Sequence, residues 1–271
     1  MMKNFLPRLI SFVVIFFLSN QVYSQNLMFV YDYTYKPDSL SENSEKEPMF
    51  LWINNKQSTF ASYERLTTDS LYVHDKNTDF TKGKIFWKIN KSLSSGEITE
   101  TQYSYPVMYS FPDDIKLSWE LINETKTSFG YTLYKAKTRF RGRIWEAWYC
   151  PKIPISDGPF KFKGLPGIIF EISDTRNAHS FSLIKLYKTN LDVSGLKSSL
   201  FIDKQQRISK KEYLKLKKIE LDDPARGFKA DVYSGKIVLK DRDPNEIIRG
   251  IEKKALEDRK KNNNPIELNQ H

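Results

Sequence analysis

The chain has 271 residues, room for one sizeable domain, with a formal net charge of +10 and aromatic side chains at 14%. Its single cysteine, Cys150, excludes an intramolecular disulfide, so packing alone must hold the fold. Three histidines in unrelated segments, with no H-E-x-x-H, paired cysteine, G-x-S-x-G or phosphate loop, give no support for a metal, a cofactor or a recognisable nucleophile.

Residues 1–24 have the layout of a secretory signal. Lys3 and Arg8 lead into the apolar run from Leu9 to Leu18, and Val22-Tyr23-Ser24 offers small residues for cleavage. That run is about half as long as a bilayer-spanning helix. Cleavage after Ser24 is therefore expected. Residues 25–271 would then form a single β-rich domain in the periplasm, at the outer membrane or outside the cell.

Residues 26–35 alternate, with Leu27, Phe29, Tyr31, Tyr33 and Tyr35 on one face of a strand. A polar loop is expected at 36–48. Short strands follow at 49–54, 58–66, 84–90 and 101–110, separated by turn residues, as in an antiparallel meander. Strands at 115–122 and 130–140 are expected around a polar link at 123–127. Further strands at 143–150, 167–173 and 179–188 complete a curved antiparallel sheet or incomplete barrel. The period then turns helical. Ser209 and Glu212 form a capping box, and Asp243-Pro244 opens a second helix bearing Ile247, Ile248, Ile251 and Leu256. The fold class is thus mainly β (α+β), with two C-terminal helices packed on the sheet and a helical part at about 205–261.

The stretch from Arg141 to Asp174 carries the strictest backbone demands. Pro151 and Pro154 exclude helix, Gly158-Pro159 marks a turn, and Leu165-Pro166-Gly167-Ile168 suits a type II turn with positive φ at Gly167. Gly164-Leu165-Pro166-Gly167-Ile168-Ile169 resembles the hexapeptide that names the GLPGLI family of exported bacterial proteins, with Ile168 where the name has Leu. Gly142-Arg143, Ala147-Trp148-Tyr149, Ile153-Pro154-Ile155, Gly158-Pro159, Asp174 and the near-terminal Asn264-Pro265-Ile266-Glu267-Leu268 are similar as well. The resemblance implies export from Gram-negative cells and supplies no catalytic residue.

Asp157 and Asp174 are expected to bond nearby backbone. Glu171, if buried, would need a cation such as Arg143. The expected function is that of an exported, non-catalytic envelope protein binding an apolar ligand or a periplasmic or outer-membrane partner. Arg143, Trp145, Trp148, Asp157 and Glu171 are the candidate contacts, with the Pro/Gly loop as one rim. A carboxylate-dependent hydrolase and a structural accessory of an outer-membrane complex are the alternatives. The basic runs 204–218 and 249–261 are interleaved with Glu212, Glu252, Glu257 and Asp258 and read first as solvated helix faces. A basic balance also suits peripheral contact with a membrane; nucleic acid is not expected for an exported chain.

Overall fold

The computed structural model describes residues 26–66, 83–104, 107–194, 205–240 and 242–269; the expected signal at 1–24 lies outside them. Among the described residues, twelve strands build one sheet: β1 (Asn26–Tyr35), β2 (Glu45–Ile53), β3 (Gln57–Ser62), β4 (Lys88–Ser92), β5 (Ile98–Ser104), β6 (Val107–Pro112), β7 (Glu120–Ser128), β8 (Tyr131–Phe140), β9 (Arg143–Cys150), β10 (Ile168–Asp174), β11 (His179–Thr189) and β12 (Gln205–Arg207). Their order is β12-β6-β5-β4-β3-β2-β1-β11-β10-β9-β8-β7. The sheet is open and antiparallel throughout, except where β12 runs parallel to β6. Two meanders, β1 to β6 and β7 to β11, meet where β11 returns to pair with β1.

The alternation of β1 decides which face is which. Phe29, Tyr31 and Tyr33 enter the main core, while Met28 and Val30 join Phe50, Trp52 and Val193 on the opposite face. Residues 151–167, between β9 and β10, fold across the main core instead of rimming it. Phe160, Phe162 and Leu165 are all buried there. Phe162 lies 4.7 Å from Trp145, and Phe160 lies 5.0 Å from Trp87. Each such ring contributes roughly 1.5–3 kcal/mol by leaving water, which is why the loop fills the space that an open bowl would have left.

Several local expectations are corrected. The type II turn at 165–168 is replaced by a tighter bend: the Gly167 N–H donates to Leu165 O at 2.8 Å, and the Ile168 N–H donates to Ile153 O at 3.1 Å. Gly167 is required for a different reason, since a Cβ there would lie 2.2 Å from the carbonyl oxygen of Cys150. Gly167 does have positive φ, at +159°, though far from the roughly +80° of a type II turn, and Gly164 has it as well, at +99°. The polar stretch at 123–127 is strand, within β7, not a link. As an edge strand β7 faces water on most of its residues, so polar side chains cost it nothing. The single strand expected at 101–110 is the hairpin of β5 and β6. The loop expected at 36–48 gives way to β2 from Glu45.

Three helices follow the sheet: α1 (Lys210–Asp222), α2 (Arg226–Tyr233) and α3 (Pro244–Lys261). The Ser209/Glu212 capping box and Pro244 in the first turn of α3 are present as read from sequence. Short α2, which has no side-chain cap, is additional. Tyr213 of α1 stacks on Phe111 of β6 with ring centroids 4.3 Å apart, seating the helix on the sheet. No helix among the described residues is long and apolar enough to cross a membrane.

Candidate functional site: an aromatic cleft walled by the C-terminal segment

The segment Asn264-Pro265-Ile266-Glu267-Leu268 is tied to the sheet by buried charge. Arg143, at the start of β9, donates from Nη2 to Asn264 Oδ1 at 2.6 Å and to Pro265 O at 2.7 Å, and from Nε to Ile266 O at 3.2 Å. Its Nη1 meets Asp174 Oδ2 at 2.8 Å. Asp174 Oδ1 in turn accepts from the backbone of Ala178 and His179 at 2.7 and 3.1 Å. The His179 ring completes the clamp. Its Nε2 lies 3.1 Å from Asn264 O, which can only accept, so Nε2 carries the proton and Nδ1 accepts from the Tyr33 hydroxyl at 2.8 Å. Burial, reinforced by the Arg143 guanidinium, lowers the His179 pKa to about 4. The ring is therefore neutral at ordinary pH.

Beside this clamp lies Lys161, fully buried between Phe160 and Phe162. Its ammonium contacts Glu100 Oε2 at 2.5 Å, Asp113 Oδ2 at 2.7 Å and Glu267 Oε1 at 2.7 Å. Burial alone would lower its pKa, but three carboxylates outweigh that and raise it. Those carboxylates lie within 4.8 Å of one another, the spacing of a cation site. Lys161 itself takes the central position. Asp113 also binds Arg141 and Lys210; desolvation works to raise its pKa, but Lys161 and then Lys210 overcome that and lower it. Glu267 responds in the other direction: burial pushes its carboxyl up, and Glu100 adds to that against the pull of Lys161.

Where these groups meet the solvent they line a cleft of about 280 Å³. Tyr33, Tyr35, Trp87 and Phe160 supply aromatic surface, and residues 264–267 form one wall. Tyr33 and Tyr35 stack at 4.8 Å. Glu100, Gln102 and Lys217 bring polar groups to the same space. Burial lowers the Lys217 pKa against the raising effect of Glu100 and Glu267. The chemistry on offer is a flat apolar contact beside a few oriented polar groups, the usual composition of a small-molecule pocket.

None of the five residues singled out from sequence lines this cleft. Arg143 stands behind its wall, and Trp145 is sealed in the core. Asp157 is fully buried against Lys91, whose Nζ also donates to Gly158 O at 2.6 Å. It also accepts from the Gly158 N–H at 2.8 Å, the backbone role expected of it. Trp148 and Glu171 come together on a partly exposed patch, where Lys126 lies 4.6 Å from the Trp148 ring and 2.5 Å from Glu171. Glu171 thus pairs with Lys126 and not with Arg143. The motif residues Gly158, Pro159, Gly164, Leu165, Pro166, Gly167, Ile168 and Ile169 shape the core-covering loop and the start of β10.

Sequence reasoning missed Lys161, Glu100, Asp113 and the cleft aromatics. In the Phe160-Lys161-Phe162-Lys163 run, alternation reads both lysines as exposed. Phe160 instead adopts φ +52°, and the chain turns there, with Phe162 N–H donating to Pro159 O at 3.1 Å. That bend puts Lys161 inside with both rings. Glu267 sat within a motif already noted, which was its one available signal.

Residues 138–171 match a family described as a protein of unknown function (Porph_ging), covering the end of β8, all of β9, the loop and the first part of β10. No curated protein matches the chain. Among solved structures, two crystal forms of PNGF-II are similar, one with a TM-score of 0.51 at 16% identity and one with 0.49 at 13%. Each alignment covers 70% of this chain and 32% of that one, so this chain matches about a third of PNGF-II's length. At such identity the likeness is one of fold.

Proposed function

We propose that this chain is an exported, non-catalytic envelope protein that holds an apolar, flat-faced ligand, or an aromatic side chain of a partner, in the cleft beside the C-terminal segment. The observation that carries the reading is the grouping of Tyr33, Tyr35, Trp87 and Phe160 around a space of about 280 Å³. Because the loop 151–167 fills the main face of the sheet, room for a ligand lies at the edge of that filling. Membership of the GLPGLI family belongs to the same proposal, supported by residues 164–169 and by the way 264–268 seats against Arg143 and Lys161.

A hydrolase is the weaker reading. Glu100 and Glu267 approach each other in the cleft, yet each gives an oxygen to Lys161. Asp157, Asp174 and Glu171 are paired with Lys91, Arg143 and Lys126. An acid–base pair needs a proton free to move.

The test is a fluorescence titration of the purified chain with anilinonaphthalene sulfonate. Saturable binding is expected, weakened on the order of tenfold by Trp87→Ala, as for removal of an aromatic contact from a desolvated site. Equal affinity in the variant would remove the cleft from consideration.

A further inference from the structure

Helix α1 carries its charges the wrong way round for its own stability. Lys210 and Lys211 stand in its first turn, where the helix dipole is positive and Glu212 is the one acidic residue, while Glu220 and Asp222 close it and no basic residue occupies the last turn. The dipole favours the reverse arrangement. Lys211, Lys215 and Lys218 recur at helical spacing on one face, so like charges sit as neighbours and repel. All three are exposed and make no ion pair among the described residues; Lys215 feels only the field of Glu212, which is bound to the Ser209 cap. This face forms a groove of about 760 Å³ with Arg141. Two carboxylates also line it: Asp113, shared among Arg141, Lys210 and Lys161, and the exposed Asp114, so the five cations of the groove outnumber them.

We propose that this groove docks the phosphate headgroups of an anionic bilayer surface. An anion laid across Lys211, Lys215 and Lys218 relieves their mutual repulsion and, at Lys211, the misfit with the dipole. Lipid fits better than a free ion because apolar groups accompany the charge. Leu214 lies in the groove among the lysines, and Leu221, one turn beyond Lys218, is 45% exposed. Outside the groove, Tyr233 at the end of α2 is 80% exposed and Val238, in the α2–α3 connection, 76%. Residues 205–261 hold seventeen Lys and Arg against eleven Asp and Glu. Basic charge interspersed with exposed apolar groups on helices of this kind binds at a headgroup layer without spanning it.

Flotation of the chain beginning at Gln25 tests this, with vesicles of phosphatidylcholine alone and of equal parts phosphatidylcholine and phosphatidylglycerol. Binding to the anionic vesicles only is expected, fading as salt rises. The triple change Lys211→Gln, Lys215→Gln, Lys218→Gln should lower partitioning on the order of a hundredfold, taking each surface lysine at about fivefold. A charge-matched control, Lys116→Gln, Lys152→Gln, Lys188→Gln, should bind nearly as the parent. Equal loss in both triples would mean that net charge alone acts, and the groove assignment would be abandoned. So would it be if inorganic polyphosphate bound as tightly as the vesicles, since the occupant would then be a soluble polyanion. The groove triple should also melt at or above the parent temperature. A lower melting point would show that the lysines stabilise α1 themselves, against the premise.

Discussion

A lysine in the middle of a core, flanked by two phenylalanines, is costly to place there and more costly to remove. Lys161 meets three carboxylates from β5, from the residue following β6 and from the C-terminal segment. Lys161→Met would leave Glu100, Asp113 and Glu267 buried with too little positive charge. Breaking a buried ion network from one side costs about 3–5 kcal/mol; the urea midpoint should fall accordingly, and adding Glu267→Gln should recover part of the loss. A fall of under about 1 kcal/mol, the ordinary size for a point change, would mean that water already reaches the cluster. Gly167 makes a mainly steric case, added to its φ of +159°. A single methyl there would meet Cys150 O at 2.2 Å and Cys150 C at 2.5 Å, so backbone must move. Gly167→Ala should destabilise by about 1–3 kcal/mol, as overpacking does, whereas an unchanged melting temperature would mean that the β9–loop junction yields freely.

Among the elements, the C-terminal segment does work that its length does not suggest. Asn264 N–H donates to Pro37 O at 3.0 Å, Leu268 N–H donates to Arg141 O at 3.0 Å, and Arg143 and Lys161 grip it from below. A chain ending at Asn263 leaves two buried cations short of partners. It should lose several kcal/mol in chemical denaturation, since unpaired buried charge is penalised at that scale, with hydrogen exchange rising first at the ends of β8 and β9. Protection unchanged at those amides would demote the segment to a passive tail. This tie was only half legible in the sequence. Periodicity was enough for β1, β8 and β9, and side-chain chemistry for the caps of α1 and α3. The polar remainder of β7, beyond Ile122, escaped because an edge strand tolerates polar residues on both faces. Lys161 escaped because lysine is rarely buried and only the turn at Phe160 sends it inward. Glu100, Asp113 and Glu267 meet through the sheet order and the returning tail, neither of which local pattern encodes.

For the molecule as a whole, these buried ionisable groups set the pH range over which the two meanders stay locked together. His179 is neutral in the fold, with its pKa lowered to about 4, against about 6.5 in an unfolded chain. Between those values the unfolded chain binds a proton that the folded one refuses, so stability falls as pH drops from about 6.5 to about 4. The full loss from this ring is about 3 kcal/mol. The lowered carboxyl of Asp113 adds a further loss as pH falls below its unfolded value and through its folded one. Glu267, raised by burial, opposes this trend within the carboxylate range. On the alkaline side, the raised pKa of Lys161 keeps its contribution intact through neutrality; it is lost as pH rises beyond the unfolded value and through the folded one. Comparing the parent with His179→Gln isolates the histidine, because the carboxylates remain in both. Urea melts from pH 7 to pH 4 should converge, the parent losing about 3 kcal/mol more than the variant. Parallel curves over that interval would mean that His179 titrates alike in folded and unfolded chains, and that the clamp on Asn264 opens readily to water.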